Sequence, residues 1–296
     1  MATRLTLDAL NAASPRDFVS ALGNVFENSP WVAEAAERAR PFASLDDLRA
    51  ALLDAVETAS PERRLALLRA HPDLGGRLQR AAGMTLDSVS EQDGAGLGLL
   101  SEAEFARFAE ANAAYKARFG FPFILCVRRH SKDSILDAFA RRLDNSREVE
   151  ERQALSEIGR IATLRLAALV DNGETLAAYG RLSTHVLDAH AGRPAAGVDV
   201  ALVELSRYGP ERLIAEAITN ADGRTDEPLV RDRPVPIGTY ELRFRAAEYY
   251  RRSGAPLADP AFFDVIPIRF AVSEPERHLH VPLLMTPWSY TTYRGS

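Results

Sequence analysis

One change of rhythm constrains this chain more than any other feature. Up to about residue 170, apolar residues recur at helical spacing; beyond about residue 180 they alternate with polar ones. A period near 3.6 buries one stripe of a helix, whereas a period of two buries one face of a strand. A single layer of one kind cannot satisfy both. The chain therefore reads as an all-α domain over residues 1–172 and an all-β sandwich or barrel over 181–296, joined by a linker at 173–180 inside "DNGETLAAYGR". A length of 296 residues agrees, because single cores stop growing at about 250–300 residues.

Cap signals mark the helices. "SPRD" places Ser14 at an N-cap, Pro15 at the first helical position and Asp17 two further on, and "SLDD" repeats the pattern with Ser44 and Asp47. Ser101 and Glu104 in "SEAE" form a capping box, followed by Phe105, Phe108, Tyr115 and Phe119 at helical spacing. A last long helix is capped by Asn145 or Ser146 and is expected to stop at Asn172-Gly173. In the second half "TYELRFRA" puts Tyr240, Leu242 and Phe244 on one face, and "VIPIRFAV" does the same for Ile266, Ile268, Phe270 and Val272. Turn signals such as Ala221-Asp222-Gly223 separate the runs.

Composition narrows the function classes. A net charge of −5 without a Lys/Arg block argues against a nucleic-acid binder. No apolar run reaches membrane-spanning length, the N-terminal residues lack a secretory apolar core, and the single cysteine suits a reducing compartment. The expectation is a soluble cytoplasmic protein.

Several polar residues stand where the pattern favours apolar ones. Arg165 falls near the middle of the stripe made by Ile158, Ile161, Ala162, Ala168 and Leu169. A guanidinium there needs a partner, either an acidic residue of the same domain, which the pattern slightly favours, or an anionic ligand. His71 stands at a helix exit enforced by Pro72, where a histidine also simply suits the helix dipole. "SVSEQDGAGL" reads as a solvated loop and "FGFPFILCV" as a packed core segment. In the β half, Ser183 and His185 share one strand face, Arg224 follows a tight turn, and His278 and His280 share another face. An exposed polar face is the plain reading. A zinc site from His185, His278 and His280 is a weaker one, and two histidines with an arginine also suit metal-free water activation beside an oxyanion.

Taken together, these segments resemble two known families. "LSTHVLDAHAGRPA", "TNADGRTD" and "HLHVPLLMTPWSYTTYRGS" resemble, in order, the motifs of the 5-hydroxyisourate hydrolases, the transthyretin-related enzymes, over about residues 181–296. The closing Tyr-Arg-Gly-Ser separates those hydrolases from hormone-carrying transthyretins. "AHPDLGGRL", "SVSEQDGAGL", "YKARFGFPFILCV" and "EIGRIATLRLAAL" resemble 2-oxo-4-hydroxy-4-carboxy-5-ureidoimidazoline (OHCU) decarboxylase over about residues 5–172. Arg129 stands where that family commonly has glycine.

The resemblance implies an OHCU decarboxylase-like helical domain followed by a transthyretin-like sandwich. It implies two consecutive steps after urate oxidation, with 5-hydroxyisourate and OHCU as substrates, no cofactor, no metal and a homotetramer built through the β domain. It implies His71 as the decarboxylase acid/base, Glu91 orienting it or the substrate, and Arg165 on an anionic or carbonyl oxygen. Pro72, Ser88, Gln92 and the backbone of Phe123, Ile124, Leu125, Cys126 and Val127 would cradle the substrate. His185, Arg224 and His280 would form the hydrolase set, completed by Tyr293 and Ser296. The aromatic tail, with Trp288, Tyr290 and Tyr293, is then expected to pack into the site. The rival is a transthyretin-like small-ligand carrier with a helical docking module, against which the His and Arg residues argue.

Overall fold

The computed structural model describes residues 5–74, 102–171, 176 and 178–295. The expected residues Ser88, Glu91, Gln92 and Ser296, the Ser101 cap and the Asn172-Gly173 stop lie outside the described residues. The chain divides into two units, residues 1–127 with 134–178, and residues 128–133 with 179–296.

The first unit is helical. Among the described residues its helices are α1 (Leu7–Ala12), α2 (Pro15–Leu22), α3 (Trp31–Glu37), α4 (Leu45–Glu57), α5 (Pro61–Ala70), α6 (Glu102–Phe119), α7 (Lys132–Leu143), whose first two residues belong to the second unit, and α8 (Arg147–Leu169). The caps are those the sequence signals. Ser14 accepts the Asp17 amide at 3.2 Å and Ser44 the Asp47 amide at 3.1 Å. For α8 the cap is Ser146, which accepts the Val149 amide at 3.3 Å, while Asn145 donates to Glu150 at 2.7 Å. Helix α8 stops earlier than expected, at Leu169, because Val170 is extended and bridges Leu5. Phe108, Tyr115 and Phe119 of α6 are buried against the core.

The second unit is a β-sandwich. One sheet has the order β2 (Arg193–Pro194), β1 (Gly180–Asp188), β8 (His278–Met285), β9 (Tyr290–Thr292), with β5 (Val230–Arg233) also pairing β1. The other has β4 (Arg212–Ile218), β3 (Asp199–Leu205), β6 (Gly238–Phe244) and β7 (Ile266–Val272) in that order. Side chains from both sheets, among them Leu182, Val186, Leu242, Phe244, Ile266 and Leu283, form one buried core. The alternation holds: Leu182, Thr184 and Val186 point in, and so do Leu279, Val281 and Leu283.

Two features were not foreseen. Strand β1 pairs with β8 in parallel, whereas the other strand pairs are antiparallel among the described residues. A helix, α9 (Ala246–Ser253), interrupts the β pattern and is closed by Gly254 at φ +74°. Tyr249 of this helix donates to Asp188 at 2.9 Å and Tyr250 to the Met285 carbonyl at 2.9 Å. These two hydroxyls fix the ends of β1 and β8. Residues 128–133 belong to this unit: the Ser131 amide donates to the Ile237 carbonyl at 3.0 Å, and Arg129 pairs with Glu276, its Nη2 lying 3.0 Å from Oε2.

Candidate active sites

Register builds the β-unit site. The parallel pairing sets Arg181 opposite His278 and Ser183 opposite His280. Because alternate residues share a face, Arg181, Ser183 and His185 line up on the outer side of β1, beside His278 and His280 of β8. Arg224 joins them through a bridge to His185, and Gly295 through a bridge to His280.

Two glycines make these approaches possible. Gly223 has φ +73°, and a Cβ there would lie 2.3 Å from the Val186 carbonyl oxygen, so only glycine lets the turn close on β1. Its own carbonyl accepts the Val186 amide at 2.8 Å. Asn220 shapes the same turn by accepting the Asp222 and Arg224 amides at 3.0 and 3.2 Å. A Cβ on Gly295 would lie 2.6 Å from His280 Cδ2, so the tail's backbone rests against the imidazole.

Electrostatics favour neutral rings. Burial, then the Arg224 guanidinium, hold the His185 pKa below its usual value, opposed by a hydrogen bond to the Asp222 backbone and the Asp222 charge. Burial comes first for His280 as well, followed by Arg224, His278 and His185. For His278 the causes are burial and then Arg181. Neutral imidazoles can accept a proton or donate one, which is the chemistry of water activation. Beside His280 a cleft of about 260 Å³ opens between β7, β8 and the tail, lined by residues including Glu274, Tyr293 and Arg294.

The tail's order rests on more than the aromatic packing expected. Trp288, Tyr290 and Tyr293 are 55, 40 and 58 % exposed, so the edge-on contacts of Trp288 with His190 and of Tyr290 with Phe263 do not by themselves hold it. Pairing with β8 adds to them: β9 runs antiparallel to it, the Thr292 hydroxyl donates to the Pro282 carbonyl at 2.8 Å, and the Gly295 amide to the His280 carbonyl at 2.9 Å.

Two of the helical unit's expected residues, His71 and Arg165, stand beside the 24–28 loop. His71 is buried at the end of α5, where its backbone turns extended before Pro72. Asn28 donates to the Ala70 carbonyl at 3.3 Å. Arg165 reaches the same loop, pairing with Glu27 at 2.7 Å and donating to the Asn24 and Val25 carbonyls at 3.2 and 3.4 Å. The acidic partner that the pattern slightly favours is therefore present, in a pair that stays partly open to solvent. The apolar stripe around Arg165 is incomplete, since Ala168 is exposed. The segment 123–127 is buried throughout. Arg142 donates to the Ile124 carbonyl at 2.7 Å, and Glu157 accepts the Cys126 amide at 3.0 Å. Arg142 is in turn fixed by the buried Glu150 at 2.6 Å. A groove of about 650 Å³ between α4, α5 and α8 contains neither His71 nor Arg165.

Residues 11–167 match the family model described as OHCU decarboxylase, and residues 182–295 match that of the HIUase/Transthyretin family. The chain belongs to both families. Its OHCU decarboxylase part is 48% identical over 163 residues to the 2-oxo-4-hydroxy-4-carboxy-5-ureidoimidazoline decarboxylase of Haloferax volcanii, covering 55% of this chain and 95% of that protein. Its HIUase/Transthyretin part is 53% identical over 116 residues to the 5-hydroxyisourate hydrolase of Deinococcus radiodurans, covering 39% of this chain and 95% of that one. A solved structure described as (S)-allantoin synthase matches across both parts, with 34% identity, a TM-score of 0.55, and coverage of 99% of this chain and 100% of that chain.

Sequence reasoning missed one residue near these sites, Glu27, and the contact between two others. Glu27 carries no local signal; the only pointer to it was that Arg165 needed a partner. Ser183 and His278 were each placed on the correct face. Their contact through Ser183 Oγ, 2.8 Å from His278 Nε2, required the parallel register. The zinc reading needs three converging donors, and among the described residues no group of three His, Cys, Asp or Glu side chains is arranged to hold a metal ion. No helix among the described residues is long and apolar enough to cross a membrane.

Proposed function

We propose that the chain performs two consecutive steps of urate breakdown. The β unit, residues 181–296, hydrolyses 5-hydroxyisourate to OHCU; the helical unit, residues 1–172, decarboxylates OHCU to (S)-allantoin; residues 173–180 connect them. The observation that carries this reading is the convergence of His185, Arg224 and His280 from two strands and a turn, in a chain whose halves belong to families named for these two activities.

In the hydrolase, a neutral histidine takes a proton from water as it adds to a ring carbonyl. Arg224 stabilises the oxyanion that develops. Tyr293 and Ser296 complete the pocket, and the cleft beside His280 supports the part given to Tyr293. In the decarboxylase, His71 protonates the carbon that loses CO2, and Glu91 orients it. Arg165 holds an oxygen of the substrate, exchanging part of its contact with Glu27 for that oxygen. Pro72, Ser88, Gln92 and the 123–127 segment form the cradle. The ring's conjugated nitrogens hold the electron pair left by CO2, so neither step calls for a cofactor.

The reading extends to a homotetramer through the β unit, which the exposed Trp288, Tyr290 and Tyr293 support, and to a cytoplasmic setting, which the lone cysteine supports. Sedimentation of the purified chain tests the assembly. The activity is tested by supplying freshly made 5-hydroxyisourate and following both ring opening and optical rotation. The expected result is fast ring opening followed by a rise in optical activity. Unaccelerated ring opening would overturn the hydrolase, and a racemic product the decarboxylase.

A further inference from the structure

A row of hydrogen-bonding side chains runs from His280 toward solvent. Ser183 Oγ lies 3.0 Å from His280 Nδ1 and 2.8 Å from His278 Nε2. Arg181 Nη2 lies 3.3 Å from His278 Nδ1. The row exists because Arg181 and Ser183 are the cross-strand partners of His278 and His280 in the parallel register.

Donor and acceptor chemistry gives this row one direction. A guanidinium only donates. His278 Nδ1 must therefore accept, and the neutral ring carries its proton on Nε2. That N–H donates to Ser183 Oγ. The hydroxyl has one hydrogen, and giving it to His280 Nδ1 completes the row. With Nδ1 accepting, neutral His280 carries its own proton on Nε2. His185 is set the other way: its Nε2 is buried and has no hydrogen-bond partner among the described residues, while the ring bonds to the Asp222 backbone.

We propose that Arg181, His278 and Ser183 are positioning residues that hold His280 as its Nε2–H tautomer, so that His280 donates a hydrogen bond to the substrate while His185 acts as the base. This rests on the hydrolase reading of the β unit. His185 Nε2 takes a proton from water as the water oxygen bonds to the ring carbonyl carbon. The resulting oxyanion accepts from His280 Nε2–H and from Arg224. The ring C–N bond then breaks, and the leaving nitrogen takes its proton from His185. One water is consumed, His185 is restored, and His280 keeps its proton throughout. A neutral donor avoids the cost of burying an imidazolium beside Arg224.

The charged and titratable groups facing His280 agree with a neutral ring. His185 comes from β1, Arg224 from the 220–224 turn and His278 from β8, and all three press His280 toward neutrality after burial. On the tail side Arg294 lies 3.6 Å from Glu274, which offsets its charge. The Ser183 carbonyl alone acts toward protonation and ranks last among the causes.

The test uses the full chain labelled with ¹⁵N-histidine, with His280 assigned through its loss in His280→Gln. The expected spectrum has an acceptor-type Nδ1 and a protonated Nε2. Ser183→Ala should mix the two tautomers, lower kcat for 5-hydroxyisourate about tenfold, the order expected for one lost hydrogen bond, and move the acidic limb of the pH–rate profile upward. The upward shift follows because the hydroxyl stabilises the neutral ring. Ser183→Thr should restore all three. His278→Ala, at an exposed position, should move the same readouts in the same direction and covers the case of a misfolded Ser183→Ala. A wild-type spectrum with Nδ1 protonated, or an unchanged pH profile in both variants, would overturn the relay while leaving the hydrolase reading intact. Full activity in His280→Gln would instead remove the site reading, and the relay with it.

Discussion

The two units bring their candidate site residues together in different ways. In the β unit the site is written into backbone pairing. His280 is fixed by the parallel register with β1 and by the Gly295 amide, and Arg224 by its bridge to His185. In the helical unit the residues stand at helix ends and on side chains that cross space. His71 sits where α5 stops, and Arg165 reaches from α8 to the 24–28 loop. A sheet site is therefore rigid in its backbone and sensitive to any added atom. A helical site rests more on side-chain partners and is sensitive to their chemistry.

The sharpest break would come from removing one histidine in each unit. His185→Ala should lower isourate hydrolysis by roughly 10²- to 10⁴-fold, the range for a lost general base, and leave decarboxylation of supplied OHCU unchanged. His71→Ala should do the reverse. Assaying both steps in both variants checks this, and a joint loss in folded protein would collapse the comparison into a single shared site.

Gly295→Ala should come next. Its Cβ would meet His280 Cδ2 at 2.6 Å, displacing the ring without changing any catalytic group. A small displacement can cost about 100-fold in rate. The expected outcome is a large fall in kcat with a native far-UV spectrum, and a rate equal to wild type would show that the tail approach is not part of the site.

Arg165→Lys probes the helical side. The ammonium keeps the charge but cannot hold Glu27 and the Asn24 and Val25 carbonyls with one planar fork. A loss of about tenfold in decarboxylase kcat, with an unchanged melting temperature, is expected of a substrate-binding arginine whose charge survives the change, since the missing contact is of the order of one hydrogen bond. A fall in melting temperature at unchanged specific activity would mark it as a structural pair with Glu27.

The smallest effect concerns acid. His185, His278 and His280 have pKa values below the ordinary 6.5 in the folded chain. The unfolded chain therefore binds more protons than the folded one as pH falls below that value, and stability is lost on that side while being fully present above it. A modest fall in the β unit's melting temperature on acidification through 6.5 is expected. His185→Gln should flatten it, which thermal scans at several pH values would reveal.

How much of this was legible follows from the same contrast. Faces were legible because they depend only on local period: Ser183 and His185 were placed together on one face of β1, opposite Leu182 and Val186, before any partner strand was known. Caps were legible because Ser14, Ser44 and Ser146 act within three residues. Partners were not. Nothing near Ser183 indicates that β8 runs parallel to it, and nothing near Arg165 indicates Glu27. The helix α9 was hidden because "TYELRFRA" alternates up to the residue where the helix begins. The tail was expected to be ordered by aromatic packing; its rings stay partly exposed, Trp288 edge-on to His190 and Tyr290 to Phe263, and pairing with β8 adds to those contacts.

The parallel pairing of β1 with β8 also bears on how the chain is made. Thr184 and Val281, which share a hydrogen bond across it, are 97 residues apart. Synthesis proceeds from the N-terminus, so α1 to α8 can pack while β1 is still leaving the ribosome. Strand β1 must then wait, with its long β8 edge uncovered, until β8 has been made, and contacts of such separation form slowly. An uncovered strand edge is a template for the wrong neighbour. The β unit is therefore the half of the nascent chain that most needs a chaperone's shelter, and slowing translation before residue 278 should raise aggregation more than the same delay placed within residues 102–169.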